Sequence, residues 1–312
     1  MDGAPLRVGL VGCGRWGRLI LRDLVSLGAE VHVVVRPDSD RDEPLVLGAS
    51  TVSSDVLRMP EVDGVVIATP TSMHASSIEQ VLPLGVPVFV EKPFTDDPVR
   101  ARALADMAGG RLFVMDKWRY HPGVGALRDI VASGRLGAVH ELRTVRLQDG
   151  MPHTDVDCSW ILLPHDISVA LEIIGSAPRP TAATARWSDG VPCRYDVDLD
   201  FPSAPGITMH ATAGIDAEGS DRRITVVGAD ASAVLAGGWE EQVTITPAGT
   251  GTGTGTGVTV VVPAVGELPL LAELRAFVEH LAGGPAPVSS ASEGARAVEI
   301  IADIRTMVGA AR

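Results

Sequence analysis

The sequence predicts two domains. Residues 1–120 read as a doubly wound α/β domain with a parallel sheet, and residues 121–312 as an α+β domain on a broad, mainly antiparallel open sheet. Three observations carry this expectation. Short apolar runs alternate with amphipathic helical windows through the first 120 residues, the pattern of a parallel sheet covered by helices on both faces. After Ala182, strand-like runs follow one another without helices between them, so neighbours must be antiparallel. Between the first run and the first helical window, GCGRWG places three glycines on one turn.

The elements follow in order. Arg7–Val11 is the first strand. Arg15–Leu27 sets Trp16, Ile20, Leu24 and Leu27 at helical spacing and stops at Gly28, a residue suited to a C-terminal cap. Glu30–Val35, Gly64–Ala68 (GVVIA) and Pro87–Val90 (PVFV) are short and apolar, as strands buried on both faces are. Ala75–Leu84 and Pro98–Ala108 fit helices, the latter capped by Asp96 or Asp97, and Arg111–Met115 is the last strand of the domain. Beyond Tyr120 come a helix at about Val124–Ser133, a strand at Val139–Leu147, an irregular stretch, and an apolar helix from about His165 to Ile174. Strands are then expected at Ala182–Ser188, Arg194–Asp200, Ile207–Gly214, Arg223–Val227, Ala233–Leu235 and Gln242–Ile245. The alternation GTGTGTGTG at Gly249–Gly257 has no apolar anchor and reads as a surface loop. Helices at Leu270–Leu281 and Glu293–Met307 close the chain, the last expected to pack back on the first domain.

Composition narrows the function classes. With 46% hydrophobic residues in 312, the chain can bury a sizeable core. Its formal net charge of −13 repels polyanions, which argues against nucleic-acid binding and requires a local device for any anionic ligand. Cys13, Cys158 and Cys193 form neither a disulfide framework nor a CxxC pair, and a reducing cytoplasm is expected. The first residues lack the basic and apolar regions of a secretory leader, and no window approaches the ~20 apolar residues of a membrane span. No His, Cys or carboxylate pair falls at a familiar metal-ligand spacing.

Gly12-Cys13-Gly14-Arg15-Trp16-Gly17 is a GxGxxG between strand and helix, the Rossmann fingerprint. Its glycines permit the tight turn, the approach of backbone to a pyrophosphate and the packing of helix on strand. At the end of the second strand, Arg36 suits the 2′-phosphate of NADP(H), with Ser39 adding a hydroxyl, whereas Asp38 suits the 2′-hydroxyl of NAD(H). NADP(H) is the preferred expectation and NAD(H) the alternative. Thr69, Pro70 and His74 follow the GVVIA strand, at the carboxyl edge where an open α/β sheet binds its ligand. Glu91-Lys92-Pro93 follows the next strand, and a lysine there is placed to hydrogen-bond a reacting oxygen. Taken alone, such a lysine is an ordinary surface residue, and His74 an ordinary residue of a helix's first turn.

The ordered set GCGRWG, ATPTSMH, EKP, WRYHP and SGRLG resembles the glucose–fructose oxidoreductase/inositol dehydrogenase/MocA (Gfo/Idh/MocA) family over nearly the whole chain. The resemblance implies hydride transfer between a nicotinamide and a secondary alcohol or ketone of a sugar, sugar nucleotide or cyclitol, with substrate in the cleft between the domains. It implies a homodimer or homotetramer through the C-terminal sheet, and it makes Lys92 the family's lysine. The segment WILLPHD aligns His165 with the family's catalytic histidine, but the carboxylate expected four residues earlier is Ile161. Asp166, Asp155, Asp157 and His153 are nearby polar candidates to replace it, and spacing selects none of them. Arg119 and Tyr120 are candidate substrate contacts, with a structural ion pair the competing role for Arg119. An imine (C=N) reductase and a non-catalytic cofactor-binding regulator are the alternatives that the missing carboxylate leaves open.

Overall fold

A computed structural model describes residues 4–151, 155–248 and 258–310; His153 and the Gly249–Gly257 alternation lie outside the described residues. In chain order the elements are β1 (Arg7–Val11), α1 (Arg15–Ser26), β2 (Glu30–Val34), α2 (Asp42–Val46), β3 (Thr51–Ser53), β4 (Gly64–Ile67), α3 (Thr71–Val81), β5 (Val88–Glu91), α4 (Pro98–Ala108) and β6 (Leu112–Met115). They continue with α5 (Pro122–Ala132), β7 (Val139–Asp149), α6 (Cys158–Ile174), β8 (Arg179–Ser188), β9 (Val191–Asp200), β10 (Thr208–Gly214), β11 (Asp216–Gly228) and β12 (Ala231–Ala236). The last are β13 (Gln242–Pro247), β14 (Val260–Pro263), α7 (Pro269–Leu281) and α8 (Ala291–Met307).

The chain divides into two compact units, Met1–Lys117 with Leu268–Val298, and Trp118–Glu267 with Glu299–Arg312. The break falls after Lys117 rather than Tyr120. Residues 268–290, expected in the second domain, group with the first unit, as does the start of α8, a helix expected to pack back there. The physical reason is α7, whose Leu270, Leu274 and Phe277 join the first unit's core rather than building one of their own.

The first unit is a parallel sheet of order β3-β2-β1-β4-β5-β6. Strands β4, β5 and β6 are buried throughout, which is why they read as continuous apolar runs without alternation. Asp97 caps α4 by accepting from the Val99 and Arg100 amides, as its sequence position predicts. The three-residue β3 escaped the sequence reading because TVS is too short to show a period. Helix α7 lies along the sheet: Leu281 and Phe277 crowd Gly64 at the start of β4, and Phe277 stacks on Phe89 of β5 with ring centroids 5.0 Å apart. Glu273, one turn before Phe277, is thereby carried toward the carboxyl end of β5.

The second unit holds an eight-stranded sheet of order β14-β13-β12-β11-β7-β10-β9-β8. All neighbours are antiparallel except β7 and β10, which run parallel. Along β7, Leu142, Thr144 and Arg146 are buried while Glu141 and Arg143 are more exposed, so one face of the strand is covered. Helix α6 begins at Cys158, seven residues before the expected start at His165. Pro164 accounts for the difference: it lacks an amide donor and usually ends a helix, but here it sits inside one whose residues from Cys158 to Ala170 are all buried. Tertiary packing outweighs the lost hydrogen bond. Strand β14 was likewise missed, adjoining the Gly-Thr alternation.

Candidate active site

The glycine loop occupies the turn from β1 into α1. Gly12 has φ +97°, and a Cβ there would meet the Ala68 carbonyl oxygen at 2.6 Å, so only glycine fits. A Cβ on Gly17 would strike the Gly12 carbonyl, which is how this glycine lets α1 pack against the turn. Gly14 is the N-cap of α1, no side chain caps it, and nothing lies within 4 Å of where its Cβ would be. The first turn of α1 thus has no side-chain cap and leaves room for a ligand to approach the Gly14 backbone, an arrangement that fits a pyrophosphate at a helix N-terminus. Arg15 beside it is exposed. At the end of β2, Arg36 is 70% exposed and its Nε lies 3.6 Å from Asp38, while Ser39 closes the turn by donating its amide to the Arg36 carbonyl at 3.0 Å.

The carboxyl edge of the sheet gathers charge. Trp16 Nε1 donates to Glu91 Oε1, tying the glycine loop to the end of β5, and the Lys92 amide donates to Glu91 Oε2 at 3.1 Å. Lys117 Nζ stands 4.5 Å from the centre of the Trp16 ring, a cation–π contact. Burial pushes the Glu91 carboxyl above its ordinary range, opposed by the charges of Lys92 and Lys117 and by the Trp16 N–H. Glu273 of α7 is 1% exposed, and its Oε2 is buried without a hydrogen-bond partner. Burial, reinforced by the nearby charges of Glu91 and Asp116, drives Glu273 well above the usual carboxylate range, against the pull of Lys117 and Lys92.

His74 does not reach outward as its place in the first turn of α3 suggests. It is 1% exposed, with Nδ1 2.7 Å from the Pro93 carbonyl and Nε2 2.8 Å from the Thr69 carbonyl. The ring joins the loop after β4 to the EKP turn through these two carbonyls. Thr69 keeps its hydroxyl 3.3 Å from that of Ser77, and Pro70 precedes α3 as its N-cap.

The second unit carries His165, buried within α6 and not at its start, with its ring 6.3 Å from that of Trp118. Trp118 stacks on His121 at 4.9 Å, and His121 caps α5 by accepting the Gly123 amide through Nδ1. Arg146 packs its guanidinium 4.4 Å from the Trp118 ring centre and pairs with Asp166 at 3.3 Å. Burial raises the Asp166 carboxyl, while the Arg146 charge opposes that rise.

Several sequence candidates have structural duties. Asp157 is the N-cap of α6, accepting from the Ser159 amide at 2.9 Å, and is paired with Arg305. Arg119 donates to Glu172 at 3.2 Å, the ion pair that was its competing role. Tyr120 is half-buried next to it, and Asp155 is exposed. Ile161, buried one turn before His165, is where the family's carboxylate would stand. Glu273 and Arg146 are not among the sequence candidates, and Trp118 enters there only as part of WRYHP. A signal existed for two of them: Glu273 interrupts the apolar stripe Leu270, Leu274, Phe277, and Arg146 shares the period-2 face of Leu142 and Thr144.

A glycine loop at the head of a 3-2-1-4-5-6 parallel sheet, opening an uncapped helix, defines a dinucleotide-binding protein of the Rossmann class. Residues 6–112 match the family model described as "Oxidoreductase family, NAD-binding Rossmann fold" (GFO_IDH_MocA). That stretch of the chain resembles the nicotinamide-binding part of Gfo/Idh/MocA oxidoreductases. Similar proteins include the UDP-N-acetylglucosamine 3-dehydrogenase of Acidithiobacillus ferrooxidans, 31% identical over 179 residues, covering 55% of this chain and 56% of that protein. The myo-inositol dehydrogenase Hyg17 of Streptomyces leeuwenhoekii is 32% identical over 157 residues, 48% of each chain. The chain thus spans about half the length of the curated relatives it matches. Among solved structures, a levoglucosan dehydrogenase in complex with NADH and levoglucosan superposes with a TM-score of 0.85 at 18% identity, covering 98% of both chains, a likeness of fold.

Proposed function

We propose that this protein is an NAD(P)-dependent dehydrogenase or reductase acting on the secondary alcohol or ketone of a sugar, sugar nucleotide or cyclitol. The observation that carries the reading is the link from glycine loop to EKP turn, in which Glu91 binds Trp16 of the loop and the amide of Lys92. The lysine is thereby coupled to the dinucleotide cradle. The relatives named above are dehydrogenases, which supports this reading and lends nothing to the imine-reductase or regulator alternatives.

When bound, the nicotinamide dinucleotide supplies the two-electron oxidant or reductant. Gly12, Gly14 and Gly17 hold the pyrophosphate against the first amides of α1. Lys92 donates a hydrogen bond to the reacting oxygen and stabilises the charge that develops there. His165 takes up or returns the hydroxyl proton, for which an imidazole is suited near neutral pH. Arg36 favours NADP(H), because a guanidinium grips the 2′-phosphate in a bidentate fork.

Two broader features belong to the same reading. The sheet face of the second unit that carries Glu141, Arg143, Asp198 and His210 supports a dimer or tetramer built through that sheet. Three free cysteines support a reducing, cytoplasmic setting, and no helix among the described residues is long and apolar enough to cross a membrane.

The test is a turnover screen of sugars, sugar nucleotides and cyclitols with each nicotinamide cofactor, read by nicotinamide absorbance. Oxidation of at least one such alcohol is expected, with NADP+ preferred. Arg36→Ala should weaken NADP(H) by about 10- to 100-fold and NAD(H) far less, the loss of one charge-assisted contact. Equal weakening of both would transfer control of the ribose to Asp38.

A further inference from the structure

The register between β7 and β11 sets Arg222 directly opposite Arg146. Opposed residues of antiparallel neighbours project to the same face, and like charges so placed are destabilising. A guanidinium does not relieve the strain by losing its proton. Arg146 is 3% exposed and has Asp166 as its partner at 3.3 Å. Among the described residues, Arg222 has only Gln148 Oε1 within reach of its Nη2, at 3.5 Å, and its Nε is buried without a hydrogen-bond partner. Two guanidiniums therefore share one buried carboxylate, in a chain whose net charge is −13.

Arg222 opens onto a cavity of about 350 Å³ lined also by Ser220, Gly237, Gly238, Trp239 and Glu240. Glu240 forms no ion pair with Arg222 among the described residues. Trp239 is 69% exposed and offers a flat apolar wall to a sugar ring. Within the second unit, a series of neighbours leads from the cavity toward His165. A Cβ on Gly238 would lie 3.2 Å from Arg222 Cδ and 3.8 Å from the Trp118 ring. That ring carries Arg146 on its face and stands 6.3 Å from His165.

We propose that this cavity is an anion subsite for the substrate, in which Arg222, backed by Arg146, holds a carboxylate or phosphate group borne by the sugar. The proposal rests on the oxidoreductase reading above and narrows its substrate class to acidic sugars, phosphorylated sugars or nucleotide-linked sugars. A neutral cyclitol would leave the paired guanidiniums uncompensated in a partly desolvated site, where a buried unpaired charge is costly. An anion bound there supplies the missing counter-charge to the guanidinium. The surface as a whole repels anions, so the subsite selects by contact and not by long-range attraction.

Isothermal titration of the cofactor-saturated protein with glucose, glucuronate and glucose 6-phosphate tests this, since saturation keeps the cofactor's own phosphates out of the reading. At least one anionic sugar is expected to bind about tenfold or more tightly than glucose, and whether glucuronate or glucose 6-phosphate prevails identifies the group. Arg222→Gln should remove about 10- to 100-fold of that affinity while leaving glucose unaffected, and Arg222→Lys should restore part of it. Anionic sugars that bind no more tightly than glucose, or an Arg222→Gln loss equal for all three, overturn the subsite. Turnover in the same samples is scored separately. Anion-selective binding without oxidation of any sugar sinks the oxidoreductase reading and leaves the subsite standing, whereas oxidation without anion preference does the reverse.

Discussion

One turn before His165 the chain carries Ile161, which cannot accept a proton or orient an imidazole. Asp166 is spent on Arg146, and Asp157 on the α6 cap and Arg305, so the nearest carboxylates already have partners. In the proposed reaction, proton handling is assigned to Lys92 and His165. Replacing either by alanine should lower kcat by about 10²–10⁴-fold, the usual contribution of a general acid or base, with cofactor affinity little changed. Near-native kcat in both variants would place the chemistry elsewhere. Ile161→Asp restores the family pattern and should raise the rate of alcohol oxidation and shift its pH profile, because an adjacent carboxylate raises the histidine's basicity.

At the level of the element, α7 brings a carboxyl into the core beneath the active strand ends. Glu273 is protonated in the fold well above its ordinary value of 4.5, and burial is the chief cause. The unfolded chain releases this proton near that ordinary value while the folded chain retains it. Stability is therefore lost as pH rises from there toward the folded pKa, with a slope of at most about 1.4 kcal/mol per pH unit for one group. Glu273→Gln keeps the shape and removes the titration. Its Tm should match the wild type at about pH 4.5 and exceed it increasingly as the pH rises from there, since the variant no longer pays to bury a charge. Some slope should persist, because Glu91 is shifted in the same direction. A Tm difference that is constant with pH would show that Glu273 matters only by packing.

At the scale of the whole molecule, the question is what covers the eight-stranded sheet. Along β9 and β10, inward Tyr195, Val197, Leu199, Met209 and Ala211 are buried, while Asp196, Asp198 and His210 alternate with them. The alternate face is polar but ordered in pairs: His210 Nδ1 lies 2.8 Å from Asp198, and Thr212 donates to Asp196 at 2.7 Å. Such a face suits a symmetric contact between copies, in which matched residues meet their own counterparts. Small-angle scattering at micromolar concentration should report twice or four times the chain mass, and a monomeric mass would refute this assembly.

Much of the first unit was legible because its signals are local. A strand buried on both faces must be apolar, a tight turn against Ala68 must be glycine, and Asp97 caps the helix it precedes. The glycine loop could be found from these neighbours alone, and so could the succession of antiparallel strands, whereas the EKP turn stood out only through the family resemblance. What the chain order could not show were pairings between distant residues. The partner of Asp157 is 148 positions away at Arg305, Glu273 meets Glu91 only because α7 lies along β5, and Arg222 faces Arg146 through a register with a shift between Asp216 and Asp221. Neither periodicity nor spacing encodes such meetings. They arise when burial of apolar surface brings separate segments together, and that long-range packing also carries α6 through Pro164 where local propensity would have ended it.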